Sequence, residues 1–150
     1  MDTRRAIRAI GIDLGSKRIG VAVSDLSGTI AGPLTVVKRA KSEKLDHEAL
    51  RNIVRDEEAE IVVVGLPLTL AGEIGRAAEA AIAESKRLAT VLDVPVVTFD
   101  ERLTTVSAER TLLEANMNAQ ARRRVVDKVA AAVMLQSWLD ERAHRLKESE

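Results

Sequence analysis

The sequence predicts an α/β fold built on a five-stranded mixed sheet, and three observations carry that expectation. Short apolar or alternating runs fill the first part of the chain, and β-branched runs at 61–66 and 95–99 then alternate with stretches of helical periodicity. No repeat, linker or low-complexity tract divides the 150 residues. With 46% hydrophobic residues the chain can bury one continuous core, so a single domain over 1–150 is expected.

Each element has its own signal. Residues 8–14, 19–24 and 34–39 read as consecutive strands of an antiparallel meander, separated by turn-forming stretches at 15–18 and 27–33. Ser42 is a helix-capping residue, and Leu45, Leu50, Ile53 and Val54 follow it at helical spacing to about Glu58. Residues 61–66 form an unbroken β-branched run, as expected of a strand buried on both faces in a parallel part of a sheet. The Ala-rich stretch 74–92 predicts a second helix, 95–99 a fifth strand, and 105–115 and 122–146 two more helices. A meander followed by right-handed crossovers requires helices on both faces of the sheet. This order matches the ribonuclease H-like architecture.

Composition removes several function classes. With no cysteine, the chain has no thiolate zinc site, disulfide framework or cysteine nucleophile, and a reducing cytoplasm fits it best. Two histidines, His47 and His144, both in charged helical stretches, are too few for a His-rich metal site, so any metal is held by oxygen. The first apolar run falls far short of the ~20 residues of a membrane span. Lys plus Arg equals Asp plus Glu at 23 each, but residues 1–41 hold 8 basic and 3 acidic side chains, the one block polarised toward an anionic partner. Phe99 and Trp138 are the only aromatics, which excludes a platform stacking several bases.

Three carboxylates stand at positions that suggest chemistry. Asp13 lies near the end of an apolar strand expected in mid-sheet, where an uncompensated charge costs several kcal/mol. It either caps the following turn or pairs with Lys17 or Arg18, or it serves a function. Asp100 and Glu101 end the fifth strand and must point to opposite faces, so only one can join Asp13. The competing role is a helix N-cap by Asp100 or Thr104, with a solvent ion pair to Arg102. Asp127 begins a stripe continued by Ala131, Met134 and Trp138, although Arg123 lies four residues before it as a possible ion-pair partner. Three such carboxylates suit hard Mg²⁺ or Mn²⁺, and two ions about 4 Å apart would activate a water and stabilise the leaving oxygen in phosphodiester hydrolysis. The stretch 15–20 lacks the ending of a P-loop and joins two strands, so it reads as a hairpin turn whose Lys17 and Arg18 stand beside Asp13. The loop 65–75 enters a helix N-terminus, where either a phosphate or an ordinary connection fits.

Four stretches, Gly11-Ile12-Asp13-Leu14-Gly15-Ser16-Lys17-Arg18-Ile19-Gly20, Val64-Gly65-Leu66-Pro67-Leu68, Asp100-Glu101-Arg102-Leu103-Thr104-Thr105 and Asp127-Lys128-Val129-Ala130-Ala131, occur in this order. Together they closely resemble the YqgF family of Holliday-junction-resolvase-like bacterial proteins, also regarded as pre-16S rRNA nucleases. The resemblance spans about residues 8–139 and implies a ribonuclease H-like fold and a metal-dependent endonuclease. It also implies maturation of the 5′ end of 16S rRNA, with cleavage of four-way DNA junctions as the alternative. By that match Asp13, Glu101 and Asp127 take the catalytic, metal-holding positions, and Asp100 becomes a supporting residue. Lys17, Arg18, Arg102, Thr104 and Thr105 become contacts to structured RNA or branched DNA, and the ribosomal precursor particle is a candidate partner. A nucleotide-hydrolysing actin-like module would need a second lobe. A silent RNA-binding protein would leave the acidic trio unexplained.

Overall fold

The computed structural model describes residues 6–68, 71–103 and 119–148, the side chains of 103 and 119–128 aside. The meander is β1 (Ala9–Leu14), β2 (Arg18–Ser24) and β3 (Ala31–Lys38), followed by α1 (Glu43–Asp56), β4 (Ile61–Leu66), α2 (Arg76–Val91) and β5 (Val96–Asp100). A short 3₁₀ turn (Glu101–Leu103) follows, and α3 (Ala119–Glu148) closes the chain. The sheet order is β3-β2-β1-β4-β5. β1 pairs antiparallel with β2 and parallel with β4, and β4 pairs parallel with β5, so the sheet is mixed as expected. The expected helix at 105–115 lies outside the described residues, as do Thr104 and Thr105.

Strand alternation sorts side chains into two cores. Ile10, Ile12, Val21, Val62 and Val64 point to one face, where they meet Leu50 and Val54 of α1 and Leu88 of α2. Ala9, Ala22, Val63 and Phe99 point to the other, where Ala130, Ala131, Met134, Leu135, Trp138 and Leu139 of α3 cover them. Both aromatic side chains are therefore in the core. β4 is flanked by parallel partners and sheathed on both faces, which is why its sequence is an unbroken apolar run. Ser42 caps α1 by accepting from the Leu45 N–H at 3.3 Å. β3 begins three residues before the expected position and includes Pro33. An edge strand tolerates a residue without an N–H, and Pro33 sits where the β2–β3 register shifts.

The side chain of Gln136 pins α3 across the sheet. Its Oε1 accepts from the Ala31 N–H at 2.8 Å and its Nε2 donates to the Thr29 carbonyl at 2.8 Å. These groups lie by the end of β2, beside the start of β1, so the N-terminal turns of α3 extend toward the carboxyl end of β1. The small residues of β1 let the helix approach closely. A Cβ at Gly11 would stand 2.8 Å from the Leu135 Cβ and 3.1 Å from the Ala131 carbonyl oxygen. Gly11→Ala is therefore expected to lift α3 and cost about 1–3 kcal/mol by overpacking, measured by urea unfolding. Among the described residues no helix is long and apolar enough to cross a membrane.

Candidate active site

Asp13 ends the alternation that puts Ala9 and Gly11 on the α3 face, so its side chain belongs to that face at the carboxyl end of β1. The β1–β4 register, in which Ile12 pairs with Val64, places Gly65 beside Asp13. Gly65 in turn pairs with Phe99 of β5. A Cβ at Gly65 would stand 2.7 Å from Glu101 Oε1 and 3.1 Å from its Cγ. The Glu101 carboxylate thus lies over the one strand that separates β5 from β1, in space left by a missing side chain, and its Oε1 is buried. Two carboxylates from opposite sides of β4 share one face of the sheet.

Asp127 lies in α3, one helical turn before Ala131, and Ala131 rests on Gly11. The direction of α3 therefore carries the backbone of Asp127 toward the end of β1 that holds Asp13.

Asp100 follows the capping alternative. Its Oδ1 accepts from the Arg102 N–H at 2.9 Å, and its two oxygens take the Arg102 guanidinium at 2.6–3.1 Å. The Arg102 hydrogen bonds hold the Asp100 carboxyl below its usual range despite some desolvation. Arg102 itself lies against Gly72, close to where a side chain there would stand. Sequence placed Arg102 among the phosphate contacts, and the fold gives it a carboxylate partner within its own turn. Lys17 is exposed in the β1–β2 turn, and Arg18 begins β2 opposite Lys38 of β3.

The opposite face holds a polar group that the sequence reading did not find. Arg39 donates from Nη1 to Glu84 Oε2 at 2.7 Å and Asp46 Oδ2 at 3.2 Å, and from Nη2 to Glu84 Oε1 at 2.8 Å. His47, in a stretch expected to be charged and helical, is buried with Nε2 2.9 Å from Glu84 Oε2. Glu43, His47 and Glu84 bring possible metal-ligating atoms within 4.8 Å of one another. Glu43 is engaged by Arg87 through two hydrogen bonds of 2.7 and 2.8 Å, and Glu84 by Arg39, so guanidinium groups already answer these carboxylates.

Burial raises the Glu84 carboxyl, but hydrogen bonds from Arg39 and His47 outweigh it and leave the group below its ordinary value. A depressed folded-state pKa contributes stability above the unfolded value, about 4.3, that is lost as pH falls through the folded one. With Arg39, Asp46, His47, Glu43 and Arg87 around it, Glu84→Gln is expected to flatten the fall in melting temperature below about pH 4.3, followed by circular dichroism.

The sheet order, the two crossovers and the helix laid over the carboxylate-bearing face define a ribonuclease H-like fold. The structure of T. thermophilus RuvC in complex with Holliday junction substrate superimposes with a TM-score of 0.57 at 19% identity, covering 91% of this chain and 96% of that one. A second structure, of Thermus thermophilus RuvC, gives 0.55 at 18% identity, covering 94% and 97%. The chain belongs to the RuvX family, described as Holliday junction resolvase, whose model matches residues 7–141. This is the YqgF group that the four motifs indicate, and it is a family of nucleases. A protein of Mycobacterium sp. (strain KMS) named "Putative pre-16S rRNA nuclease" is 51% identical over 136 residues, 90% of this chain and 80% of the relative. A protein of Caldanaerobacter subterraneus subsp. tengcongensis with the same name is 47% identical over 135 residues, 89% of this chain and 96% of the relative. Membership of a nuclease family and the acidic residues suggest use of a divalent metal ion.

Proposed function

We propose that this chain is a metal-dependent endonuclease that processes the 5′ end of pre-16S rRNA in the cytoplasm. The observation that carries the reading is Glu101 laid over Gly65 beside Asp13, on the face that α3 covers. The donor set fits a hard cation: acidic oxygens, one of them buried, in a chain without cysteine. Asp13, Glu101 and Asp127 would hold Mg²⁺ or Mn²⁺, which when bound would activate a water and offset charge on the scissile phosphate.

The remaining work belongs to the chain. Gly65 leaves the room in which Glu101 sits, and the sheet fixes Asp13 relative to it. Lys17 and Arg18, on the turn that follows Asp13, bind phosphates on either side of the scissile bond and offset the repulsion between an acidic site and a polyanion. Thr104 and Thr105, in the motif that contains Glu101, serve as further substrate contacts. Arg102 screens Asp100, so the pair adds little negative charge beside the site. With both aromatic rings in the core, selectivity comes from backbone shape and helix geometry rather than base stacking.

A second reading, a four-way DNA junction as substrate, is favoured by the family's description. One assay separates the two: cleavage of matched pre-rRNA fragments and four-way DNA junctions with Mg²⁺, Mn²⁺ or EDTA. Site-specific cutting of the RNA that EDTA abolishes supports the proposal, and cutting of the junction alone transfers the function to DNA. In EDTA, where binding is measured without cleavage, Lys17→Ala and Arg18→Ala are each expected to lower the slope of log affinity against log salt by about one unit.

A further inference from the structure

We propose that Arg39 is a positioning residue that fixes the turn carrying Lys17 and anchoring Asp13, and that Glu84 and Asp46 hold its guanidinium from the far side of the sheet. The inference rests on the assignment of Asp13 to the active site. Arg39 stands just past β3 and reaches the β1–β2 turn twice. Its backbone N–H donates to the Lys17 carbonyl at 3.0 Å, and its Nε donates to the Gly15 carbonyl at 2.9 Å. The Gly15 N–H donates to the Asp13 and Arg18 carbonyls at 3.1 and 3.0 Å. A continuous series of hydrogen bonds therefore runs from Glu84 through Arg39 and Gly15 to the backbone of Asp13.

The guanidinium geometry explains why arginine is needed. One edge, Nε, faces the turn, while both Nη atoms face carboxylates on α1 and α2. A lysine ammonium has no planar fork and cannot reach the turn carbonyl and both Glu84 oxygens together. The carboxylates are sheltered, with side-chain exposures of 4% for Asp46 and 9% for Glu84. Buried ion pairs stabilise weakly, because desolvation offsets their attraction. An apolar filling would serve packing as well. What it would not supply is a directed donor on a turn carbonyl, and a misplacement of about 1 Å at a reacting group can cost 10²-fold in rate.

The test uses the full-length protein with Arg39→Lys, Arg39→Ala and Glu84→Gln. Amide hydrogen exchange is read at Gly15 and Arg18 and compared with that of the central strands, alongside kcat, KM and melting temperature. The expected result is faster exchange confined to the turn in every variant, and for Arg39→Lys a fall in kcat of about 10²-fold that exceeds any rise in KM from the loosened Lys17. Added guanidinium ion should restore part of the kcat of Arg39→Ala and none of that of Asp13→Asn. Exchange that rises equally across the sheet, or does not rise at the turn, overturns the proposal, as does a kcat loss that guanidinium does not relieve. If the Arg39 variants fail to fold, turn exchange in Glu84→Gln decides the matter. Exchange does not depend on turnover, so an inactive wild type would overturn the nuclease reading while the clamp is still judged.

Discussion

Asp13→Asn is expected to lower kcat for phosphodiester cleavage by about 10³-fold or more while leaving the melting temperature unchanged or raised. The substitution keeps the shape of the side chain and removes its charge. A group that stabilises charge in the transition state is worth about 10²–10³-fold when it is a neutral donor, and more when it also holds the metal. Asp13 and Glu101 lie on one face beside the same strand, where like charges oppose folding, and Asp13→Asn removes one of them. Active-site carboxylates commonly carry this trade. Parallel measurement of single-turnover cleavage and thermal unfolding checks it, with Asp93→Asn, an exposed ion-pair member beyond α2, as control. Loss of folding in Asp13→Asn would instead assign Asp13 to the turn that follows it.

Gly65→Ala is the second large effect, and it separates site from scaffold. The added methyl meets nothing but Glu101 among its three nearest atoms, at 2.7, 3.1 and 3.2 Å. A carboxylate on a flexible stem can swing away, so the cost to folding should stay below about 1 kcal/mol. Its displacement from the site should nevertheless lower kcat by about 10²-fold, as expected for a reacting group moved by about 1 Å. Gly11→Ala, two residues before Asp13 on the same face, instead lowers folding stability, because its methyl would meet the helix itself. Urea unfolding and kcat measured on both variants therefore yield two distinguishable signatures. A Gly65→Ala protein with wild-type kcat would remove Glu101 from the site.

Sequence alone determined whatever is recorded by local periodicity. The unbroken apolar run of β4 reports a strand covered on both faces, Ser42 reports the start of α1, and the stripe from Ala131 to Trp138 reports the buried side of α3. The family motifs named Asp13, Glu101 and Asp127 as candidates, and strand alternation required Asp100 and Glu101 to part. Which of the two faces α3 was settled in space, by Phe99 in the core beneath that helix and by the empty position at Gly65 on the neighbouring strand. Arg39 looked like one more member of a basic block, and His47 like one more residue of a charged helical stretch. Their partner Glu84 lies 45 and 37 residues away. Periodicity records which face of an element meets the core, because neighbours in sequence share that face. It carries no record of which charges meet when distant segments fold together, and the meeting of Arg39 with Gly15, Asp46 and Glu84 exists only once β3, α1 and α2 have packed around the turn.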